Sequence, residues 1–347
     1  MTPFTLAPPA DTAAAAAARV AADPDAAFLA GGTTMADLMK LNVLLPGRLE
    51  YVRPALSAEI EETDAELRVG AACTMAALAD HPAVRSRFPA VRHTLILAAS
   101  PQIRHMATVA GNLLQRSRCP YYRHPEWDRH EPAPDPTADG ADRSMAAVLG
   151  VTAPYTPKYP GDMAAAMAAF GARVETAHPD GGRAIAVVDL HDPDSPAPHA
   201  NTVLRQGELI THLVIPKSAA AANSWYHKVR ERSSYAFALA SAAVGLELDG
   251  TGPSATVTDA KIGLGGVASR PWRAREAEDA LIGKPATDAN VAAAAKAAFA
   301  SAKPPAGQEW KVTLGERTLA HALRRLRDRG VPDDRALFAM QHGRGDA

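Results

Sequence analysis

Two segments of small residues carry the groups best suited to chemistry in this chain. The first is Ala-Gly-Gly-Thr-Thr at positions 30–34, and the second spans positions 100–112. Small residues let a backbone approach a bulky anion closely, and successive amides in a turn form an anion-binding concavity. Two such segments predict a dinucleotide ligand. The alternating glycines and the following acidic residue of a Rossmann cofactor site are absent around them.

The first segment is predicted to lie between a strand and a helix. A short apolar run predicts a strand over 27–30, and the residues after the glycines predict a helix over 35–41. The unpaired amides at a helix N-terminus favour an anion. The second segment is predicted to be a loop, because a helix over 90–99 must end near Pro101. The alternative is that both are ordinary turns, with glycine in the second only stopping a helix.

The rest of the chain predicts a mixture of helices and strands, which is typical of an α+β fold. A boundary in the small-residue stretch 218–223 would separate a first domain over 1–217 from a C-terminal domain over 224–332, with a tail over 333–347. Within the first domain we expect a subdomain boundary near residue 55 and an irregular insertion over 116–153. Helices are predicted over 11–22 (capped by Asp11), from 74 onward, and over 163–170, 233–244, 288–300 (capped by Thr287) and 318–328, and strands over 67–69, 173–176, 185–189, 246–249 and 255–264.

Composition argues against several classes of function. The formal net charge of the 347 residues is −1 and aromatic residues make up 5%, so the charge and stacking surfaces of a nucleic-acid binder are missing. The two cysteines, Cys73 and Cys119, are too few for a four-thiolate iron–sulfur cluster or a structural zinc site, and no metal is predicted. We expect no signal peptide, no membrane span and a cytoplasmic location.

Six segments of the sequence resemble, in the same order, the FAD-binding subunits of the xanthine dehydrogenase and carbon monoxide dehydrogenase family of molybdenum hydroxylases. The resemblance spans nearly the whole chain. It implies a two-subdomain FAD-binding domain of the vanillyl-alcohol-oxidase-like (PCMH) type, followed by a smaller α+β C-terminal domain. In that family the first two segments wrap the pyrophosphate of FAD. The six segments are 30–34, 100–112, 159–163, 209–216, 228–238 and 262–271.

The resemblance also implies roles for individual residues. Lys228 would lie by the edge of the flavin ring, where a cation stabilises the anionic reduced form; the alternative is a solvated surface lysine. Asp162 would hydrogen-bond cofactor hydroxyls, and it also suits a helix N-cap. No catalytic acid or base is predicted, although His105 is a further candidate for flavin contact. The implied cofactor-binding residues are Ala30, Gly31, Gly32, Thr33, Thr34, Ser100, Gln102, Ile103, His105, Thr108, Gly111, Asn112, Asp162, Leu213 and Lys228.

The function implied is that of a FAD subunit which passes electrons from iron–sulfur clusters on a partner to an external acceptor. The partners implied are a large subunit with the molybdenum cofactor and a small subunit with two-iron–two-sulfur clusters, in a heterotrimer or a dimer of heterotrimers. Such a complex would be cytoplasmic, or periplasmic if a signal-bearing partner exports it. Two alternatives stay open: a stand-alone FAD-dependent oxidoreductase acting on a small organic substrate, and a non-catalytic FAD-binding scaffold.

Three residues depart from the family pattern. The aldehyde oxidoreductase branch continues the second segment into a cysteine-rich insertion with a four-iron cluster, but here only Cys119 stands in that region. The resemblance therefore implies that this cluster is absent, with Cys119 either a buried remnant or a thiolate favoured by neighbouring arginines. His105 replaces an asparagine. Ala110 replaces a glycine, which is tolerable if the φ angle at this position is negative.

Overall fold

The computed structural model describes residues 1–124, 135–192 and 201–341, so parts of the predicted insertion and tail lie outside the described residues. The first sheet is parallel, with strand order β1-β3-β2. Its first helix is capped by Thr12, whose hydroxyl accepts a hydrogen bond from the Ala15 amide at 3.1 Å, so the predicted cap at Asp11 is wrong. The elements are β1 (Thr5–Ala7), α1 (Ala13–Ala21), β2 (Ala26–Leu29), α2 (Met35–Lys40) and β3 (Arg48–Tyr51).

The second sheet is antiparallel and has five strands in the order β4-β5-β8-β6-β7. Its centre is apolar, because Val69 and Val174 pair with Leu213 from either side and all three side chains are buried. The elements are β4 (Ile60–Glu62), β5 (Glu66–Gly70), α3 (Met75–Asp80), α4 (Pro82–Arg87), α5 (Pro89–Ile96), α6 (Pro101–Met106), α7 (Val109–Leu113), α8 (Asp162–Ala169), β6 (Arg173–Ala177), β7 (Ala184–Ala186) and β8 (Leu209–Pro216).

The third sheet is antiparallel, with strand order β12-β11-β10-β9, and it packs against long C-terminal helices. Thr287 caps the second of these helices, as the sequence predicts, by accepting from the Asn290 amide at 3.2 Å. The elements are α9 (Ala219–Ala222), β9 (Ser224–Val229), β10 (Ala240–Asp249), β11 (Thr256–Gly265), β12 (Trp272–Arg273), α10 (Arg275–Leu281), α11 (Asp288–Ala297), α12 (Trp310–Arg329) and α13 (Asp334–Gln341).

Helix α8 shares a hydrophobic core with the second sheet and also contacts strands β10 and β11 of the third sheet. Every residue of α8 is buried, and most of them are alanine. A Cβ on Gly263 of β11 would lie 1.9 Å from the backbone oxygen of Ala165 in this helix. Helix and strand therefore approach so closely that only small residues fit between them. This contact fixes the position of Asp162, the first residue of α8, relative to the C-terminal sheet.

The α+β prediction is confirmed, but several of the predicted elements are wrong. The helix predicted over 233–244 is a loop followed by strand β10, because residues 240–246 are buried and small residues suit a strand covered on both faces. The linker predicted over 218–223 contains α9, with Ala220 and Ala221 buried. The predicted tail contains α13, whose Leu337 lies in the main core. In the described ranges, no helix is long and apolar enough to cross a membrane.

Candidate functional site

The two glycine-containing segments meet each other, as a shared cradle requires. Gly31 lies against the end of α6, where a Cβ would stand 2.2 Å from the backbone oxygen of Met106. Gly32 has a φ of +73°, the left-handed region that favours glycine. Helix α2 begins directly after these residues at Met35, so the turn leads from a strand into a helix N-terminus. Gly31 is therefore needed for the close approach of the two segments, and Gly32 for the turn that precedes α2.

The second segment is largely helical, which corrects the prediction of a loop. Ser100 caps α6 by accepting from the Ile103 amide at 3.3 Å, and Pro101 occupies the first turn, where its missing amide hydrogen costs nothing. Thr108 caps α7 by accepting from the Gly111 amide at 3.2 Å. Gly111 therefore lies inside a helix and does not stop one. Ala110 lies in the same helix without a positive φ, so its extra methyl group is tolerated.

Two adjoining cavities lie between the segments. The small cavity, about 270 Å³, is bounded by residues 30–34 together with Thr108 and Gly111. The large cavity, about 510 Å³, extends from Thr33 and Thr34 past Asn112 to Asp162. Together they fall within the range of about 300–1,000 Å³ typical of ligand sites. The residues that border both cavities are Thr33, Thr34, Ala107, Gly111 and Arg116.

Not all of the predicted cofactor residues border these cavities. Ile103 faces the large cavity, but Gln102 and His105 are exposed, because the helical turn of α6 directs them away from it. His105 is therefore not placed to hydrogen-bond a ligand between the segments. Leu213 is 1% exposed and packs in the core of the second sheet, three residues along β8 from the cavity wall at Ile210. Ser100 acts as a helix cap.

Asp162 borders the far end of the large cavity and forms a buried ion pair with Lys228, which lines a neighbouring cavity of about 510 Å³. The Lys228 Nζ atom donates to Asp162 Oδ2 at 2.6 Å and to the Leu97 carbonyl at 3.2 Å, and its side chain is 1% exposed. The Tyr226 hydroxyl donates to Asp162 Oδ1 at 2.5 Å. Burial and the neighbouring carboxylate raise the pKa of Tyr226 well above its ordinary value. Lys228 is thus no surface lysine, and Gly161, not Asp162, is the N-cap of α8.

The rim of the large cavity is rich in cations and aromatic rings that the sequence did not single out. Asp37 Oδ2 accepts from Arg123 at 2.8 Å and from Arg118 at 3.2 Å. Burial raises the pKa of Asp37, but the two arginines outweigh it and lower that pKa overall. The Arg118 guanidinium also lies 5.1 Å from the centre of the Phe237 ring. The sequence signal for this rim is the series Arg116, Arg118 and Arg123 after Asn112, which is connected in the sequence analysis only with the thiol of Cys119.

Cys119 is a buried thiol, and the arginines nearby do not activate it. Its side chain is 1% exposed, and its Sγ atom lies 3.1 Å from the Tyr155 hydroxyl. Burial raises the pKa of Cys119, so the protonated form is favoured. Arg118 and Arg123 instead bond to Asp37, and Arg123 also bonds to the Ser117 carbonyl. Of the two alternatives for Cys119, the structure therefore favours the buried thiol over the reactive thiolate.

The residues present suit FAD. The Asn112 Oδ1 atom is buried without a hydrogen-bond partner and borders the large cavity, so it is available to a ligand donor. Most of the residues that border both cavities are small, namely Thr33, Thr34, Ala107 and Gly111. A dinucleotide fits two adjoining compartments of this kind, because small residues let its phosphates approach the backbone closely.

Comparison with known proteins decides the family. Residues 2–218 match the family described as the FAD binding domain in molybdopterin dehydrogenase, and residues 225–333 match the CO dehydrogenase flavoprotein C-terminal domain. The chain belongs to this family. It is an FAD-binding oxidoreductase of the molybdenum hydroxylase type, as the resemblance in the sequence predicts.

Individual relatives cover most of the chain. The aldehyde oxidoreductase FAD-binding subunit of Escherichia coli K12 is 39% identical over 326 residues, which are 91% of this chain and 96% of that protein. The carbon monoxide dehydrogenase medium chain of Afipia carboxidovorans is 30% identical over 78% of each chain. Among solved structures, reconstituted CO dehydrogenase from Oligotropha carboxidovorans has a TM-score of 0.70 at 26% identity, covering 94% of this chain and 98% of that one. Quinoline 2-oxidoreductase from Pseudomonas putida 86 shares the fold at a TM-score of 0.70 and 22% identity, over 93% and 96% of the two chains.

Proposed function

We propose that this chain is the electron-transfer subunit of a molybdenum-containing dehydrogenase, passing electrons from iron–sulfur clusters on a partner to an external acceptor. Its relatives support the proposal, because their names include an aldehyde oxidoreductase FAD-binding subunit and a carbon monoxide dehydrogenase medium chain. The partners would be a large subunit with the molybdenum cofactor and a small subunit with two-iron–two-sulfur clusters, in a heterotrimer or a dimer of heterotrimers. The complex would be cytoplasmic, or periplasmic where a signal-bearing partner exports it.

Bound FAD supplies the reversible one- and two-electron chemistry that this function needs. The residues of the chain bind it, orient it and set the charge around it. The two glycine segments would hold the phosphates, and Asn112 would accept a hydrogen bond from the ligand. Asp162 would place a negative charge at the far end of the large cavity, with the positive charge of Lys228 paired directly behind it. Because the proposed reaction is electron transfer, no acid–base pair is required.

The observation that carries the proposal is the contact of Gly31 with the end of α6. A methyl group at this position would meet the Met106 carbonyl at 2.2 Å, so Gly31→Ala must push the two segments apart. We expect the full-length Gly31→Ala variant to be purified with little or no FAD, measured by its absorbance at the flavin band against protein. Gly31→Val combined with Gly111→Val should lose FAD completely.

A matched control separates loss of the cradle from general destabilisation. Gly182 lies in the turn between β6 and β7 and borders neither cavity, and a Cβ there would meet the Thr176 carbonyl at 1.9 Å. Gly182→Ala introduces the same kind of clash and should keep its FAD. Equal FAD occupancy in the Gly31 and Gly182 variants would contradict the proposed cradle.

The stand-alone oxidoreductase is not favoured, since the relatives are named as subunits or medium chains. It is tested directly by purifying the chain alone and offering candidate organic hydride donors. The subunit function predicts that the flavin absorbance stays unchanged until a reduced iron–sulfur partner is added. Bleaching by an organic donor without a partner would overturn the subunit function.

A further inference from the structure

Arg116 lies where the small and the large cavity join. It borders both of them, together with Thr33, Thr34 and Gly111 from the two glycine segments. Its Nη1 atom is buried and has no hydrogen-bond partner. A buried donor without a partner costs free energy, and an unpaired buried charge costs much more. Such a group in a cavity wall therefore indicates a missing anionic partner.

The other cations that border the large cavity have partners. Arg118 and Arg123 share the Asp37 carboxylate, at 3.2 Å and 2.8 Å. Arg232 donates twice to the neutral Tyr235 carbonyl, and it borders the large cavity but not the small one. Within the described ranges, no carboxylate lies within ion-pair distance of Arg116. Its positive charge is thus available to a ligand at the junction of the cavities.

The groups that surround Arg116 do not supply the missing charge. Tyr122 lies near it, and its hydroxyl is also buried without a partner. Burial raises the pKa of Tyr122, with Arg116 opposing this effect, so the tyrosine stays neutral at physiological pH. Burial lowers the pKa of His191 to about 4, so this neighbouring imidazole is neutral as well. Neither of these two neighbours therefore neutralises the charge of Arg116.

We propose that Arg116 pairs with the pyrophosphate of FAD and supplies the main charge neutralisation for it. The proposal rests on the FAD-binding function proposed above. A dinucleotide that spans both cavities has its pyrophosphate between its two halves, and the junction is where both glycine segments and Arg116 meet. Backbone amides supply directed hydrogen bonds there, whereas among the described residues that border both cavities only Arg116 has a charged side chain.

The proposal makes opposite predictions for ligand affinity and for stability without ligand. In the full chain stripped of FAD, Arg116→Met replaces an unpaired buried charge by an apolar side chain of similar length. The melting temperature of the apoprotein should therefore stay the same or rise. The dissociation constant for FAD, measured by flavin fluorescence titration, should increase about ten- to hundredfold. Arg116→Lys should recover part of the affinity.

Arg92→Met is the matched control. Arg92 of α5 is another largely buried arginine, which pairs with Asp334 of α13 and borders neither cavity. This variant should lower the melting temperature and leave the FAD dissociation constant unchanged. Unchanged FAD affinity in Arg116→Met, with FAD lost in Gly31→Ala, would overturn the role of Arg116 and leave FAD binding at the cradle intact. A fall in the apoprotein melting temperature on Arg116→Met would also overturn it, because it would show a structural role. Unchanged affinity in both Arg116→Met and Gly31→Ala would overturn the cradle itself.

Discussion

The ion pair between Lys228 and Asp162 allows a test in which two substitutions at one contact shift the reduction potential of the flavin in opposite directions. Lys228→Met removes the cation and leaves the Asp162 carboxylate buried beside the large cavity, where it keeps the hydrogen bond from the Tyr226 hydroxyl. Asp162→Asn does the reverse and leaves the Lys228 ammonium buried. A negative charge near the flavin disfavours its anionic reduced form, and a positive charge favours it. The reduction potential should become more negative in Lys228→Met and more positive in Asp162→Asn.

The structure also gives the size of the effect on stability. At 2.6 Å and an effective dielectric constant of about 20, the two charges attract each other by about 6 kcal/mol before desolvation is counted. Removing one partner of a buried pair leaves the other uncompensated, so each single substitution should lower the free energy of unfolding by about 3–5 kcal/mol. The double substitution removes both charges together. It should cost at least about 2 kcal/mol less than the sum of the two single substitutions.

Two measurements check this reasoning on the full chain. Urea unfolding followed by tryptophan fluorescence gives the free energies for the double-mutant cycle, and Trp225 beside Tyr226 is a reporter close to the pair. Potentiometric titration of the flavin absorbance gives the potentials of both single variants. Additive free energies would show that the pair is not coupled. Potentials that move in the same direction would refute the placement of the pair beside the flavin.

Further predictions concern acid stability and the thiols. The Glu208 side chain is fully buried and accepts from Arg183 at 2.8 Å and 2.9 Å; burial raises its pKa, but Arg183 and the other donors outweigh this and lower it to about 2. Since this folded value lies below the ordinary 4.5, the ionised Glu208 contributes its full stabilisation above pH 4.5 and loses it as the pH falls towards 2. The free energy of urea unfolding should therefore fall more steeply with acid in the native chain than in Glu208→Gln. Cys73 and Cys119 are both buried, and burial raises the pKa of Cys73 to about 11 and also that of Cys119. Mass spectrometry should show that iodoacetamide at pH 8 labels neither cysteine in the native chain and both in urea. Fast labelling of Cys119 in the native chain would contradict this and would favour the reactive thiolate.

Local chemistry made the first glycine segment predictable. Its strand and helix were expected over 27–30 and 35–41, and the structure has Ala26–Leu29 and Met35–Lys40. Strand, glycine turn and helix start follow from neighbouring residues, so no distant contact was needed. Thr287 as the cap of α11 was found for the same reason.

The second segment was predicted less well, although its signals are also local. Serine before proline, and threonine three residues before Gly111, are capping patterns for α6 and α7. In the sequence analysis, a loop is predicted here instead. Gln102 and His105 are cofactor residues by the family resemblance alone, and in the helix both are exposed. A helical period over 101–106 would have directed both residues outward and kept Ile103 inward.

Contacts between distant parts of the chain could not be predicted from one sequence. Asp37 meets Arg118 and Arg123 across a gap of more than 80 positions, and the strand over 240–249 is decided by the helices that cover it. Alanine favours a helix when only its propensity is considered, but burial on both faces overrides that preference in β10. The proposed role of Arg116 likewise depends on its position beside both cavities, which the sequence does not show.

Strand β9 has a consequence for how such chains can be recombined. It belongs to the C-terminal sheet, yet Tyr226 and Lys228 reach from it to Asp162 and to the Leu97 carbonyl. Each half of the chain thus carries one charge whose counter-ion is encoded in the other half. A chimera that takes its C-terminal half from a relative inherits a stable junction only if that relative also supplies a cation where Lys228 stands. A junction placed in the stretch 218–223 therefore separates Asp162 from Lys228, and a chimera made there is expected to be stable only when its two parts together restore this ion pair.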